Sequence, residues 1–153
     1  MQDRIRLAHG SGGRLARELL EELFLARFRS LPLQKQGEAA LLPLPPEGRL
    51  AVSTQACVVR PLFFPGGDIG RLALLRATNN LAAAGASPRW AAAAFTLREG
   101  VRWKDLARIV DSLARAAAEA TVELVAGDTR VLEPGSGEDE ILITVTAGGV
   151  VDP

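Results

Sequence analysis

A single cysteine, Cys57, in 153 residues leaves no partner for an internal disulfide and too few thiolates for a multi-cysteine zinc site, which suits a reducing compartment. Histidine is equally scarce, and His9 alone is too solitary to make a metal centre. Surplus charge is missing as well. Eighteen basic and eighteen acidic side chains cancel and alternate along the chain, so it lacks the electrostatic footprint that nucleic acid or an anionic membrane would require. No stretch approaches the roughly 20 apolar residues of a membrane span. The opening MQDRIRLAHG is not followed by an apolar run of signal-peptide length. The expectation is a cytoplasmic protein with no nucleic-acid or membrane partner.

What is present is apolar material, 48% of the residues, enough for a real core in a chain of ordinary single-domain length. Residues 1–153 are therefore expected to form one domain. RLARELLEELFLARF places Leu15, Leu19, Leu23 and Phe24 on one face of an amphipathic helix. Residues 29–48, broken by four prolines and two glycines, read as a loop or short edge strands unable to propagate a helix. LAVSTQACVV (50–59) is β-branched enough for a strand, in which Cys57 is most simply a small buried residue. PLFFPGGDIG (61–70) is a turn in which at least one of Phe63 and Phe64 should be buried, in the core or at an interface with a second copy, and Asp68 should cap the next helix.

That helix should run from about residue 69 to about residue 84, ending at Gly85 with Pro88 beyond. A strand at 89–97, a helix at 101–120 with Leu106, Ile109, Val110 and Leu113 inward, and strands at 121–132 and 140–151 complete the order. PGSGEDE reads as a solvated loop between the last two strands. Only two helices lie between strands, and hairpin-like pairs are mixed in. The fold class this favours is α+β: a mostly antiparallel sheet with helices on one face.

Two segments could carry chemistry. AHGSGG (8–13) either caps the first helix as a flexible arm or wraps a phosphate with the backbone N–H groups of Gly10, Gly12 and Gly13 and the Ser11 hydroxyl. It lacks the Lys-Ser/Thr ending of a P-loop. His9 reads as a loop residue or a phosphate hydrogen-bond donor. AGDTR (126–130) ends a β-branched strand with Gly127, Asp128 and Thr129, where a carboxylate can reach a bound cation; the alternative is an Asx-turn in which Asp128 bonds its own backbone. RATNNLAAAGA (76–86) sets Asn79 and Asn80 side by side in an alanine-rich helix, either as exposed polar residues or as amides held in a fixed place.

Together AHGSGGRL, PLFFPGGDIGRLA, RATNNLAAAGASPRW, FTLREG and VAGDTRVL resemble, in order and over essentially the whole chain, the N-terminal half of the HypE family. These are nickel–iron hydrogenase maturation factors of the aminoimidazole ribonucleotide synthetase (PurM-like) superfamily. The resemblance implies a PurM N-terminal-like domain that pairs with a second copy through its sheet and holds ATP with Mg²⁺ in the groove so formed. It also implies ATP-dependent dehydration: a carbamoyl group on a C-terminal cysteine is activated by phosphorylation and becomes the thiocyanate that supplies cyanide to iron.

The same resemblance identifies departures. The family has Asn-Asp where this chain has Asn79-Asn80, Ser/Thr-Thr-Asp where it has Ser53-Thr54-Gln55, and an acidic Asp near Glu38; Asp128 remains. An amide keeps the shape of a carboxylate and discards its charge, so Gln55 and Asn80 read as replaced ligands of an ion site that Asp128 and Glu38 once shared. The alternative is that the amides bind a nucleotide phosphate without metal. With the sequence ending at Asp152-Pro153, the expectation is a chain without the family's C-terminal domain and terminal cysteine. The expectation is a catalytically degenerate module that forms a homodimer and pairs with a full-length HypE or another maturation protein. The rival is the ATP-binding subunit of a split enzyme of the same type.

Overall fold

The computed structural model describes residues 3–43, 46–134 and 141–153. The loop expected at PGSGEDE falls, apart from Pro134, outside them. A 3₁₀ turn (Leu7–Gly10) leads into α1 (Gly13–Leu19), which continues without interruption as a π-helical stretch, Leu20–Leu25. This is the expected amphipathic helix: Leu19, Leu23 and Phe24 are buried, and Leu15 is half-buried. Residues 29–48 hold one turn of helix after all, α2 (Leu31–Gln34). The Ser30 side chain accepts the Leu33 N–H, and proline in a first turn has no intrahelical bond to lose.

Next come β1 (Arg49–Cys57), the two-residue strands β2 (Phe63–Phe64) and β3 (Gly67–Asp68), α3 (Ile69–Ala83), β4 (Ser87–Arg98), α4 (Trp103–Glu119), β5 (Glu123–Leu132) and β6 (Ile141–Val151). Asp68 caps α3 as expected, accepting the Gly70 and Arg71 N–H groups at 2.8 and 3.1 Å. Gly85 follows the last turn of α3 with φ +76°, a conformation that stops a helix cheaply only at glycine. Pro88 stands beyond that boundary as expected, as the second residue of β4. Phe63 and Phe64 are both half-buried, and the Arg108 guanidinium stands 4.0 Å from the Phe63 ring centroid.

The main sheet has the order β1-β6-β4-β5. β6 pairs antiparallel with β1 and β4; β5 runs parallel to β4 because α4 returns the chain to the end of the sheet where β4 began. Alternation divides the residues cleanly. Ile143, Val145 and Ala147 of β6 and Ala91, Ala93, Phe95 and Leu97 of β4 are buried on the helix side, with Phe24 edge-on to Phe95 at 5.0 Å. Leu74, Ile109 and Leu113 close the core above them, and Cys57 is fully buried. The other face carries no helix: Leu50 and Val52 are 50% and 56% exposed, and Thr54 meets Thr146 across β1 and β6 at 3.0 Å. The fold is α+β with helices on one face of a mostly antiparallel sheet.

Candidate functional site

The residues singled out in the sequence gather at opposite edges of the sheet. At the β5 edge the glycine-rich arm lies against the strand. A Cβ on Gly10 would sit 2.5 Å from the Val131 backbone nitrogen, so glycine there permits the arm to touch β5 at all. Gly12 and Gly13 have φ +79° and +75° with open space around them and turn the chain into α1. Gly127 is a close approach too, 3.0 Å from the Ala93 carbonyl oxygen once a Cβ is added.

Arm and strand enclose a cavity of about 300 Å³ lined by His9, Gly10, Gly12, Gly127, Asp128 and Thr129, with Leu19, Leu20, Phe24 and Leu124 as its apolar floor. Two of the expected phosphate donors are occupied in holding the arm. His9 is 1% exposed; its Nδ1 accepts the Arg6 N–H at 2.8 Å and its ring leans on Trp103. The Ser11 hydroxyl donates to the Leu7 carbonyl at 3.1 Å. Asp128 is exposed, and its carboxylate makes no hydrogen bond or ion pair among the described residues. The Asx-turn alternative therefore has no bond to support it.

At the β1 edge, α3 lies along the strand. Residues four apart on a helix rise about 6 Å, and residues two apart on a strand about 6.8 Å. Arg76 and Asn80 thus fall into step with Gln55 and Ser53. Arg76 Nη2 donates to Gln55 Oε1 and Asn80 Nδ2 to Ser53 Oγ, both at 3.4 Å. Asn79 is exposed one position round the helix. Arg76 stood in the RATNN segment without a role; its i, i+4 spacing from Asn80 was the signal available.

The two edges do not meet within one chain. Gln55, Val145, Ala93 and Gly127 form one row across the sheet, and Ala56, Thr144, Ala94 and Asp128 the next. Asp128 is therefore three strand spacings, roughly 14 Å, from β1. In the register Asp128 shares a row with Ala94, Thr144 and Ala56, whereas Gln55 shares one with the buried Val145 and Ala93. Glu38 is exposed in the bend beyond α2. Magnesium requires anionic oxygens close to octahedral geometry. The β1 edge offers neutral amides, a hydroxyl and a guanidinium, and that set does not fit the ion. No group of three or more His, Cys, Asp or Glu side chains suited to a metal occurs among the described residues, and none of their helices is long and apolar enough to cross a membrane.

A four-stranded mixed sheet backed by helices on one face, with a glycine-rich arm on its parallel edge, defines a PurM-like N-terminal domain. Residues 36–151 match the family model of the AIR synthase related protein N-terminal domain, and the chain belongs to that family. Within it the similarity is to HypE. The chain is 50% identical to the carbamoyl dehydratase HypE of Azotobacter vinelandii over 97% of its own length and 43% of that protein's. A crystal structure of the hydrogenase maturation protein HypE in complex with ATP superposes with a TM-score of 0.90 at 42% identity, covering 95% of this chain and 42% of that one. HypE in a HypE–HypF complex superposes with a TM-score of 0.66 at 44% identity, covering 87% and 42%. The chain thus spans less than half the length of the relatives it matches.

Proposed function

We propose that this single domain serves hydrogenase maturation as a HypE-like interaction module that does not hydrolyse ATP, pairing with a second copy and with a maturation protein. The observation that carries this reading is the β1 edge: across a HypE-like fold, Gln55 and Asn80 stand where the resemblance calls for carboxylates, beside the guanidinium of Arg76. A divalent ion there would meet a fixed positive charge and no anionic ligand, so the bridging ion that neutralises ATP phosphates is disfavoured.

Pairing through the sheet is supported by its helix-free face. Leu50 and Val52 on edge strand β1 expose apolar surface beside unpaired backbone groups, which proteins ordinarily cover. A solved HypE forms a complex with HypF, which makes a HypF-type protein the first partner to try.

The test combines light scattering with phosphate release. The expected result is a dimer mass at tens of micromolar, a heavier complex when HypF is added, and no phosphate released from MgATP. A monomer that ignores HypF, or magnesium-dependent turnover of ATP, would overturn the reading; turnover would favour the ATP-binding subunit of a split enzyme.

A further inference from the structure

We infer that the seam between α3 and β1 is a metal-independent oxyanion site, suited to the phosphate chain of a nucleotide, in which Arg76 supplies the charge a divalent ion would otherwise provide. The choice of nucleotide rests on the HypE-like reading above; the site itself rests on the seam.

Three observations converge there. The first is the absence of acid: β1, α3 and β6, which pack together, contain no Asp or Glu. The second is an uncompensated cation. Arg71, one turn earlier on α3, is paired with Glu119 at 2.7 Å, whereas Arg76 is exposed and its one contact among the described residues is the neutral amide oxygen of Gln55. The third is the direction of the donors. Gln55 accepts from Arg76 and so holds one arm of the guanidinium, leaving its remaining N–H groups for a ligand. Asn80 reaches Ser53 over a long 3.4 Å contact that is easily exchanged for a better acceptor. Asn79 is exposed beside it.

The seam is thus rich in donors, positively charged and without acids. A cation finds repulsion and only neutral oxygens. A phosphate finds a planar fork matched to two of its oxygens, with amides and a hydroxyl at the sides. Magnesium, which occupies phosphate oxygens and removes charge from the ligand, should compete with the site instead of assisting it.

Isothermal calorimetry on the intact chain tests this, with ATP in EDTA, ATP with excess Mg²⁺, inorganic tripolyphosphate and adenosine as probes. The expected order is ATP in EDTA and tripolyphosphate binding comparably, MgATP more weakly, and adenosine not at all. Arg76→Ala should weaken ATP binding about ten- to a hundredfold, as expected for loss of a charged hydrogen-bonding partner. Arg76→Lys, which keeps the charge and loses the fork, should fall between. Arg76 is exposed, so neither variant removes core packing. Tighter binding of MgATP than of free ATP, binding unchanged in Arg76→Ala, binding of adenosine alone, or no saturable binding at millimolar ATP would each overturn the inference. The interaction reading is judged separately by dimer mass and HypF association, so either idea can fail while the other stands.

Discussion

The two edges of the sheet are built on opposite terms. At the β5 edge the backbone itself is in contact: Gly10 against Val131, Gly127 against Ala93, with His9 buried behind them. At the β1 edge only side-chain tips meet, at 3.4 Å and in view of solvent. A residue type at the first edge is dictated by space, so its presence reports the fold and says little about a ligand. A residue type at the second meets its neighbours only through exposed side-chain contacts, so space constrains it less. The glycine-rich arm looks like the stronger motif in the sequence, yet the quieter Asn and Gln positions carry more information about chemistry.

The sharpest way to break this contrast is to add one carbon at the first edge and trim a side chain at the second. Gly10→Ala must push the arm off Val131, because the obstacle is backbone nitrogen at 2.5 Å and cannot rotate away. A loss of about 1–3 kcal/mol is expected, as for overpacked cores, visible as a fall in Tm of roughly 2–4 °C for each kcal/mol lost. Gln55→Ala should stay within about 0.5 kcal/mol of the parent, as surface changes usually do. Equal melting temperatures for the two variants would show that the arm is not packed as described and that the edges do not differ in kind.

A smaller effect tests whether the β1 seam depends on how α3 is anchored. Asp68 is buried and bonds two N–H groups of the first turn. Removing such a cap in Asp68→Ala should cost about 1 kcal/mol in chemical denaturation. Arg76 and Asn80 lie two or more turns further along, held by packing of Leu74, Ala77 and Leu81, so ATP affinity in EDTA should be unchanged. A parallel loss of affinity would tie the seam to the cap and weaken the separation of fold from function.

Legibility followed the same division. Where periodicity and punctuation dictate structure, the chain could be read: the inward leucines of α1 and α4, the cap at Asp68, the stop at Gly85 and the helices gathered on one face all stand as expected. The single turn at Leu31–Gln34 was obscured because prolines in residues 29–48 argue against helix, while a proline inside a first turn costs nothing. The parallel pairing of β5 with β4 is set by the path of α4, which no local pattern records. At the candidate site the sequence named residues, but it did not give their distances. Nothing in the spacing of Gln55 and Asp128 says that β6 and β4 lie between them, and nothing in RATNN says that Arg76 meets β1 two residues from where Asn80 does.

A small expected effect on stability bears most directly on the seam. Gln55→Asp restores a carboxylate at a position where the resemblance calls for one. If the seam were an ion site waiting for its charge, Gln55→Asp together with Asn80→Asp would return magnesium-dependent nucleotide binding. The contact between Arg76 and Gln55 argues for a different outcome. The carboxylate introduced by Gln55→Asp would face the guanidinium and form a solvent-exposed ion pair, worth about 0.2–1 kcal/mol at most and screened by salt. The expected result is a slight gain in stability that fades at high salt, loss of free-ATP binding as Arg76 becomes occupied, and no response to Mg²⁺. Adding Arg76→Ala to the two Asp substitutions frees the carboxylates, and only that triple variant should show an Mg²⁺-dependent calorimetric signal. A magnesium response from the two Asp substitutions alone would mean that Arg76 yields its place readily, and that charge at Gln55 and Asn80, not the guanidinium, decides what the edge binds.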